Sequence, residues 1–144
     1  MQAVVCTEYG SPDVLNLQQI DKPNINGHEV LIRIHAASVN PIDWKFRSGF
    51  LPSRLLSGLR KPRLKVLGVD FAGEIEEIGA DVKRFKRGDQ VYGGALGGTY
   101  AEFIAMSENS GLGLKPSNLT FEESAAVPLA AVTALQALRD KGEL

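Results

Sequence analysis

Only one cysteine, Cys6, stands among the 144 residues. That excludes an internal disulfide framework and points to a reducing, cytoplasmic setting. Two histidines, His28 and His35, are the only other soft metal ligands, too few for a thiolate-rich zinc centre. No run of about 18 apolar residues occurs, so no membrane-spanning helix and no membrane partner is expected. The N-terminus, Met1-Gln2-Ala3-Val4-Val5-Cys6-Thr7-Glu8, has no basic stretch before its apolar run and meets an acid early, so no secretory leader is expected. Charge of one sign is lacking as well. Sixteen Lys and Arg against 17 Asp and Glu leave a net charge of −1. Such a surface as a whole draws neither nucleic acid nor an anionic membrane, and no nucleic-acid partner is expected. No G-x-G-x-x-G or G-x-x-x-x-G-K-[ST] phosphate loop occurs either.

What remains is an ordinary globular balance, 44% hydrophobic and 23% charged residues, enough for one core. Short extended segments are expected at 3–7, 14–18, 68–79, 90–93, 99–105 and 112–115, broken by Gly, Pro and Asn. Residues 29–39 alternate, with Val30, Ile32 and Ile34 on one face, as in a half-buried strand. Gly73 suggests a bend or bulge in the strand that carries it. The glycine cluster 93–98 reads as a hairpin connection. Asn40-Pro41-Ile42-Asp43 is a helix start, with an Asn cap, Pro at the first position and an acid in the first turn, and Gly49 is the stop. Residues 50–66 read as a long basic and apolar loop, and loops of that length often act as lids. Thr120-Phe121-Glu122-Glu123 is a capping box. Pro128 ends the short helix behind it and starts another through Leu129, Val132, Leu135 and Leu138 to Gly142.

Several residues carry possible chemistry, each beside a plainer reading. Asn40 and Pro41 serve as a helix cap, or the Asn40 amide faces a cleft. Asp70, between Val69 and Phe71, must be exposed, paired or in a wet cleft, since an unpaired buried carboxylate is costly. The Thr133 hydroxyl bonds the carbonyl one turn back, or faces a cleft. Trp44, Phe46 and Tyr92 fill a core or line an apolar pocket. The basic residues of 54–65 read as a solvated face, with Glu74, Glu76 and Glu77 as an acidic counterweight. No Ser, Cys or His constellation for nucleophilic catalysis appears.

Five segments in order resemble one family: Asn40-Pro41-Ile42-Asp43-Trp44-Lys45-Phe46-Arg47-Ser48-Gly49, Leu67-Gly68-Val69-Asp70-Phe71-Ala72-Gly73, Phe85 to Gly93, Tyr100-Ala101-Glu102-Phe103, and Ala125 to Ala134. Together they resemble the zinc-independent quinone oxidoreductases of the medium-chain dehydrogenase/reductase superfamily over essentially the whole chain. The resemblance implies a mainly β, GroES-like, partly open barrel with short helices over residues 1–127. Residues 128–144 then form a connector helix leading to an NAD(P)-binding Rossmann half that this chain does not contain. It implies hydride transfer from NADPH, with NADH not excluded, to a quinone or activated enone. The isolated 144 residues are expected to be inactive and prone to self-association, and the full-length protein to be a homodimer. Asn40, Pro41, Leu129 and Thr133 would contact the cofactor's nicotinamide end, and Phe46, Asp70 and Tyr92 the acceptor. Zinc-dependent relatives carry Cys where Asn40 stands, His where Val69 stands and a relay hydroxyl where Ile42 stands, so no zinc is implied. The contrasting expectation is a stand-alone GroES-like assembly module, supported only by the apolar stretch 50–59.

Overall fold

The computed structural model describes residues 1–142. The connector expected over 128–144 therefore has its last two positions outside the described residues. Seven strands and four α-helices follow one another along the chain: β1 (Gln2–Cys6), β2 (Leu15–Gln19), β3 (Glu29–Ala37), α1 (Pro41–Ser48), α2 (Leu51–Ser57), β4 (Asp70–Ile78), β5 (Gln90–Gly94), β6 (Phe103–Ser107), β7 (Leu112–Leu114), α3 (Phe121–Ala125) and α4 (Pro128–Gln136). Strands β1 and β2 pair antiparallel, and the other five form a second antiparallel sheet in the order β6-β3-β4-β5-β7. Single bridges, Ala3 to Ala101 and Val5 to Val66, stitch the two sheets together. The result is a pair of open sheets rather than a closed barrel, in keeping with the partly open architecture expected. No described helix is long and apolar enough to cross a membrane.

The core sits on one face of the large sheet. Val30, Ile32, Phe71, Ile75, Val91, Ile104 and Met106 pack there with Phe85 and Leu112, the alternate residues of four neighbouring strands. Strand β3 is not half-buried at its start, because Leu31 on its other face is also buried. The segment 22–25 lines a depression together with Leu31.

Three expectations fail. Gly93–Gly98 is not a hairpin: β5 pairs with β4 and β7, while β6 pairs with β3, so this loop crosses between separated strands. The irregularity expected at Gly73 lies on the strand opposite. Ile34 pairs with Gly73 and Ala36 with Ala72, which makes His35 the extra residue. Residues 51–57 are also helical rather than loop. Pro52 in the first turn suits a helix start, and Leu51 and Leu55 are exposed, so these two give the helix no buried stripe to mark it in the sequence.

Helix α1 forms as its sequence dictates. The Asp43 carboxylate accepts the Asn40 N–H at 2.7 Å, and Gly49 closes the helix at φ 68°, where a side chain would be strained. Helix α3 starts on the Thr120 capping box, both arms of which are made. Helix α4 is different. Its preceding residue, Val127, has helical dihedrals and no capping side chain, so its first free N–H groups must find an acceptor elsewhere.

Candidate functional site

That acceptor is Asp70. The first residue of β4 is wholly buried, and its Oδ2 accepts the Leu129 N–H at 3.1 Å across 59 positions of sequence. Pro128 has no N–H to give, so Leu129 offers the first donor of α4. The same oxygen accepts the Asn40 Nδ2 at 3.1 Å and the Ser38 hydroxyl at 3.3 Å. The Asn40 Nδ2 also donates to the Ser38 Oγ at 3.1 Å. One carboxylate oxygen thus ties together the end of β3, the start of α1, the start of β4 and the start of α4.

Neutral donors surround this carboxylate, with no cation among the hydrogen-bonding partners. Next to it lies a second buried acid. Burial pushes the Asp43 carboxyl above its ordinary value, hydrogen bonds pull it back, and the nearby Asp70 charge adds to the rise. The Tyr100 phenol is raised too, by burial first and then by Asp43, and it donates to the Ser38 carbonyl at 3.3 Å.

A cleft of about 470 Å³ opens beside this cluster. Val69, Asp70, Tyr92, Pro128, Leu129 and Val132 form its walls, with glycines of β5 and β7 as its floor. The floor is backbone because the strands approach closely: a Cβ on Gly93 would lie 2.2 Å from the Gly111 carbonyl oxygen. The cleft is mostly apolar with few convergent polar groups, the usual make-up of a site for a small organic ligand.

The seven residues singled out from the sequence divide in two. Asp70, Leu129 and Tyr92 line this cleft, Tyr92 half-buried, while Asn40 does not line it and is joined to it through its hydrogen bond to Asp70, which also accepts the Leu129 N–H. Phe46 does not line it. Its ring is buried with Cys6 and Leu67 in a second core cluster, the plainer of the two readings open to it. Pro41 is exposed at the start of α1, and Thr133 is exposed on α4, its hydroxyl without a hydrogen bond to a described residue. The back-bond to Leu129 expected of the Thr133 hydroxyl is absent among the described residues. Ser38 was missed. Its spacing of two from Asn40 on extended chain puts both side chains on one side, which was the available signal.

The alcohol dehydrogenase GroES-like domain model matches residues 26–117. A 2-methylene-furan-3-one reductase of Solanum lycopersicum is 41% identical over 152 residues, covering 99% of this chain and 38% of that protein. A chloroplastic NADPH-dependent alkenal/one oxidoreductase of Arabidopsis thaliana is 38% identical over 148 residues, covering 96% of this chain and 37% of that protein. The solved quinone oxidoreductase of Coxiella burnetii superposes with a TM-score of 0.84 at 38% identity, over 99% of this chain and 45% of that one. The chain spans less than half the length of each of these relatives.

Proposed function

The chain belongs to the alcohol dehydrogenase GroES-like domain family, and from that premise we propose that it is the acceptor-binding part of an NADPH-dependent reductase of quinones or activated enones that works without zinc. The observation that carries this reading is the Asp70 knot, which ties Asn40 and the start of α4 to a carboxylate in the wall of an apolar cleft. Residues 1–127 are the acceptor domain. Residues 128–144 lead into a dinucleotide-binding half of a longer chain, through which that protein dimerises.

The glycine floor of the cleft suits a flat ring, since backbone lets a planar group approach closely. Asn40, Pro41, Leu129 and Thr133 would hold the nicotinamide end, and reduced nicotinamide supplies the hydride that an acceptor takes up together with a proton. Asp70 orients: its Oδ2 fixes the Asn40 amide and the Leu129 backbone at once. Val69, Pro128, Leu129 and Val132 exclude water from the acceptor, and Asp70 and Tyr92 bound its polar side. The task is mainly positioning, which alone lowers barriers substantially. For zinc, the donor set does not fit. Asn40 offers an amide already engaged by Ser38 and Asp70, and Val69 offers no donor at all.

The test is NADPH oxidation by the full-length natural protein against a panel of quinones and enones, with and without a chelator. Turnover that survives chelation, faster with NADPH than NADH, is the expected result. Silence across the panel overturns the reductase reading, and loss on chelation overturns its zinc independence.

A further inference from the structure

Residues 44–69 contain seven Lys or Arg and no Asp or Glu, in a chain whose net charge is only −1. The remainder of the chain therefore carries nine cations against 17 acids. The acids of β4 do not neutralise this run. Glu76 is taken by Lys22 at 2.5 Å and Arg33 at 2.6 Å, and Glu77 by Lys22 at 3.5 Å. Arg60, Lys61, Arg63 and Lys65 are exposed with no acidic partner among the described residues.

The same run exposes its large apolar side chains. Leu51 and Leu55 are each 78% accessible and Leu59 69%, and Trp44 and Phe50 are half exposed. Leu51, Leu55 and Leu59 recur every four residues and line a groove of about 440 Å³ with Pro52 and Arg54. Three contacts hold this flap in shape: Arg54 donates to the Gly49 carbonyl at 2.7 Å and sits over the Tyr9 ring, and the Tyr9 hydroxyl donates to the Gly58 carbonyl at 2.5 Å.

We propose that residues 44–65 are a docking surface for an anionic lipid bilayer. A phosphate backbone would use the cations but has no use for five exposed large apolar side chains. A bilayer uses both: leucines and the aromatic rings enter the headgroup boundary while lysines and arginines meet anionic headgroups. The cytoplasmic leaflet carries that negative surface potential. A near-neutral total charge does not oppose docking, because attraction acts within about 8 Å at physiological salt and so reads the local patch. Helix α2, of seven residues, adsorbs rather than inserts. The docking stands apart from the reductase reading. If both hold, the cleft works where lipid-soluble quinones are dissolved.

The experiment is co-sedimentation of the full-length natural protein with vesicles of phosphatidylcholine alone or mixed with phosphatidylserine. Binding is expected to the mixed vesicles only, and to fall with added salt. Each cation near such a surface is worth about a fivefold change in partition, so the triple variant Arg60→Glu, Lys61→Glu, Arg63→Glu loses about a hundredfold or more. The pair Leu55→Ser, Leu59→Ser loses about tenfold and keeps the salt dependence. All five positions are exposed, and an unchanged circular dichroism spectrum confirms that the fold persists. Four outcomes overturn the proposal: no vesicle binding by the full chain, equal binding to phosphatidylcholine alone, binding indifferent to the charge reversals, or duplex DNA bound more tightly than the mixed vesicles. A dimer that the leucine variants dissociate, without vesicle binding, assigns the patch to a second copy and overturns it too.

Discussion

Asp70 and Glu76 stand six residues apart on the same strand, and the protein treats them in opposite ways. Asp70 is wholly buried and held by an amide, a hydroxyl and a helix N–H. Glu76 has a side chain 20% exposed and is held by two cations, Lys22 and Arg33, which also sit over the Phe103 ring. Neutral donors bind a carboxylate through fixed dipoles that salt does not screen, and they bind it in one geometry. Cations on long stems bind through a field that solvent weakens and through many geometries. The first arrangement therefore specifies where segments meet, and the second mainly fastens a surface.

Removing Asp70 should separate the two most sharply. Asp70→Ala strands the Asn40 Nδ2 and the Leu129 N–H and is expected to cost about 3 kcal/mol in urea unfolding, with no recovery in high salt. Asp70→Asn keeps an acceptor and should cost about 1 kcal/mol. A cost for Asp70→Ala below that of Glu76→Gln would break the comparison. Asn40→Ala comes next, at about 1–2 kcal/mol, and in the full-length protein it should lower kcat/KM beyond what the loss of folded protein explains. Glu76→Gln should cost less than about 1 kcal/mol, and the difference from the parent should vanish in concentrated salt.

The smallest effect is a difference in sign along the pH axis. Burial holds the Asp43 carboxyl above its ordinary value. Its contribution to stability is fully present below the unfolded value near 3.8 and is lost as pH rises through the native one. Lys22 and Arg33 hold Glu76 below its ordinary value. Its contribution is present above the unfolded value near 4.5 and is lost as pH falls through the native one. Asp43→Asn should thus gain on the parent as pH rises, and Glu76→Gln should lose on it. Parallel melting curves for the two variants would deny that the two carboxylates live in different surroundings.

Local chemistry was legible in the sequence, and distance was not. Asn40-Pro41 with Gly49 bounds α1, and Thr120 with Glu123 starts α3, because those signals act within one turn. The capping of α4 was not legible. Its acceptor lies 59 residues upstream, and nothing in Val127-Pro128-Leu129 names Asp70. The glycine cluster after β5 misled for the same reason: turn composition says that a chain bends, while the strand it bends toward is set by which edge β3 and β4 leave open. Helix α2 escaped notice because helix periodicity is read from a buried stripe, and Leu51 and Leu55 are exposed. At the cleft, Asp70, Tyr92 and Leu129 could be listed from the sequence, as could Asn40, which bonds Asp70. Phe46 could not be told from a core residue by type, since an aromatic ring serves either purpose.

The order of the large sheet also bears on how the chain is made. Strand β3 ends at Ala37, yet its partner β6 is not complete until Ser107. At a synthesis rate of about 5–20 residues per second, roughly 4–14 s pass between the two leaving the ribosome. Through that interval Val30, Leu31 and Ile32 have one unpaired edge, and β4 can shelter the other only once Ile78 has been made. The nascent chain is then open to mispairing and to chaperone capture. Slower translation ahead of codon 103 should worsen its yield, and a pause placed after Leu114 should not.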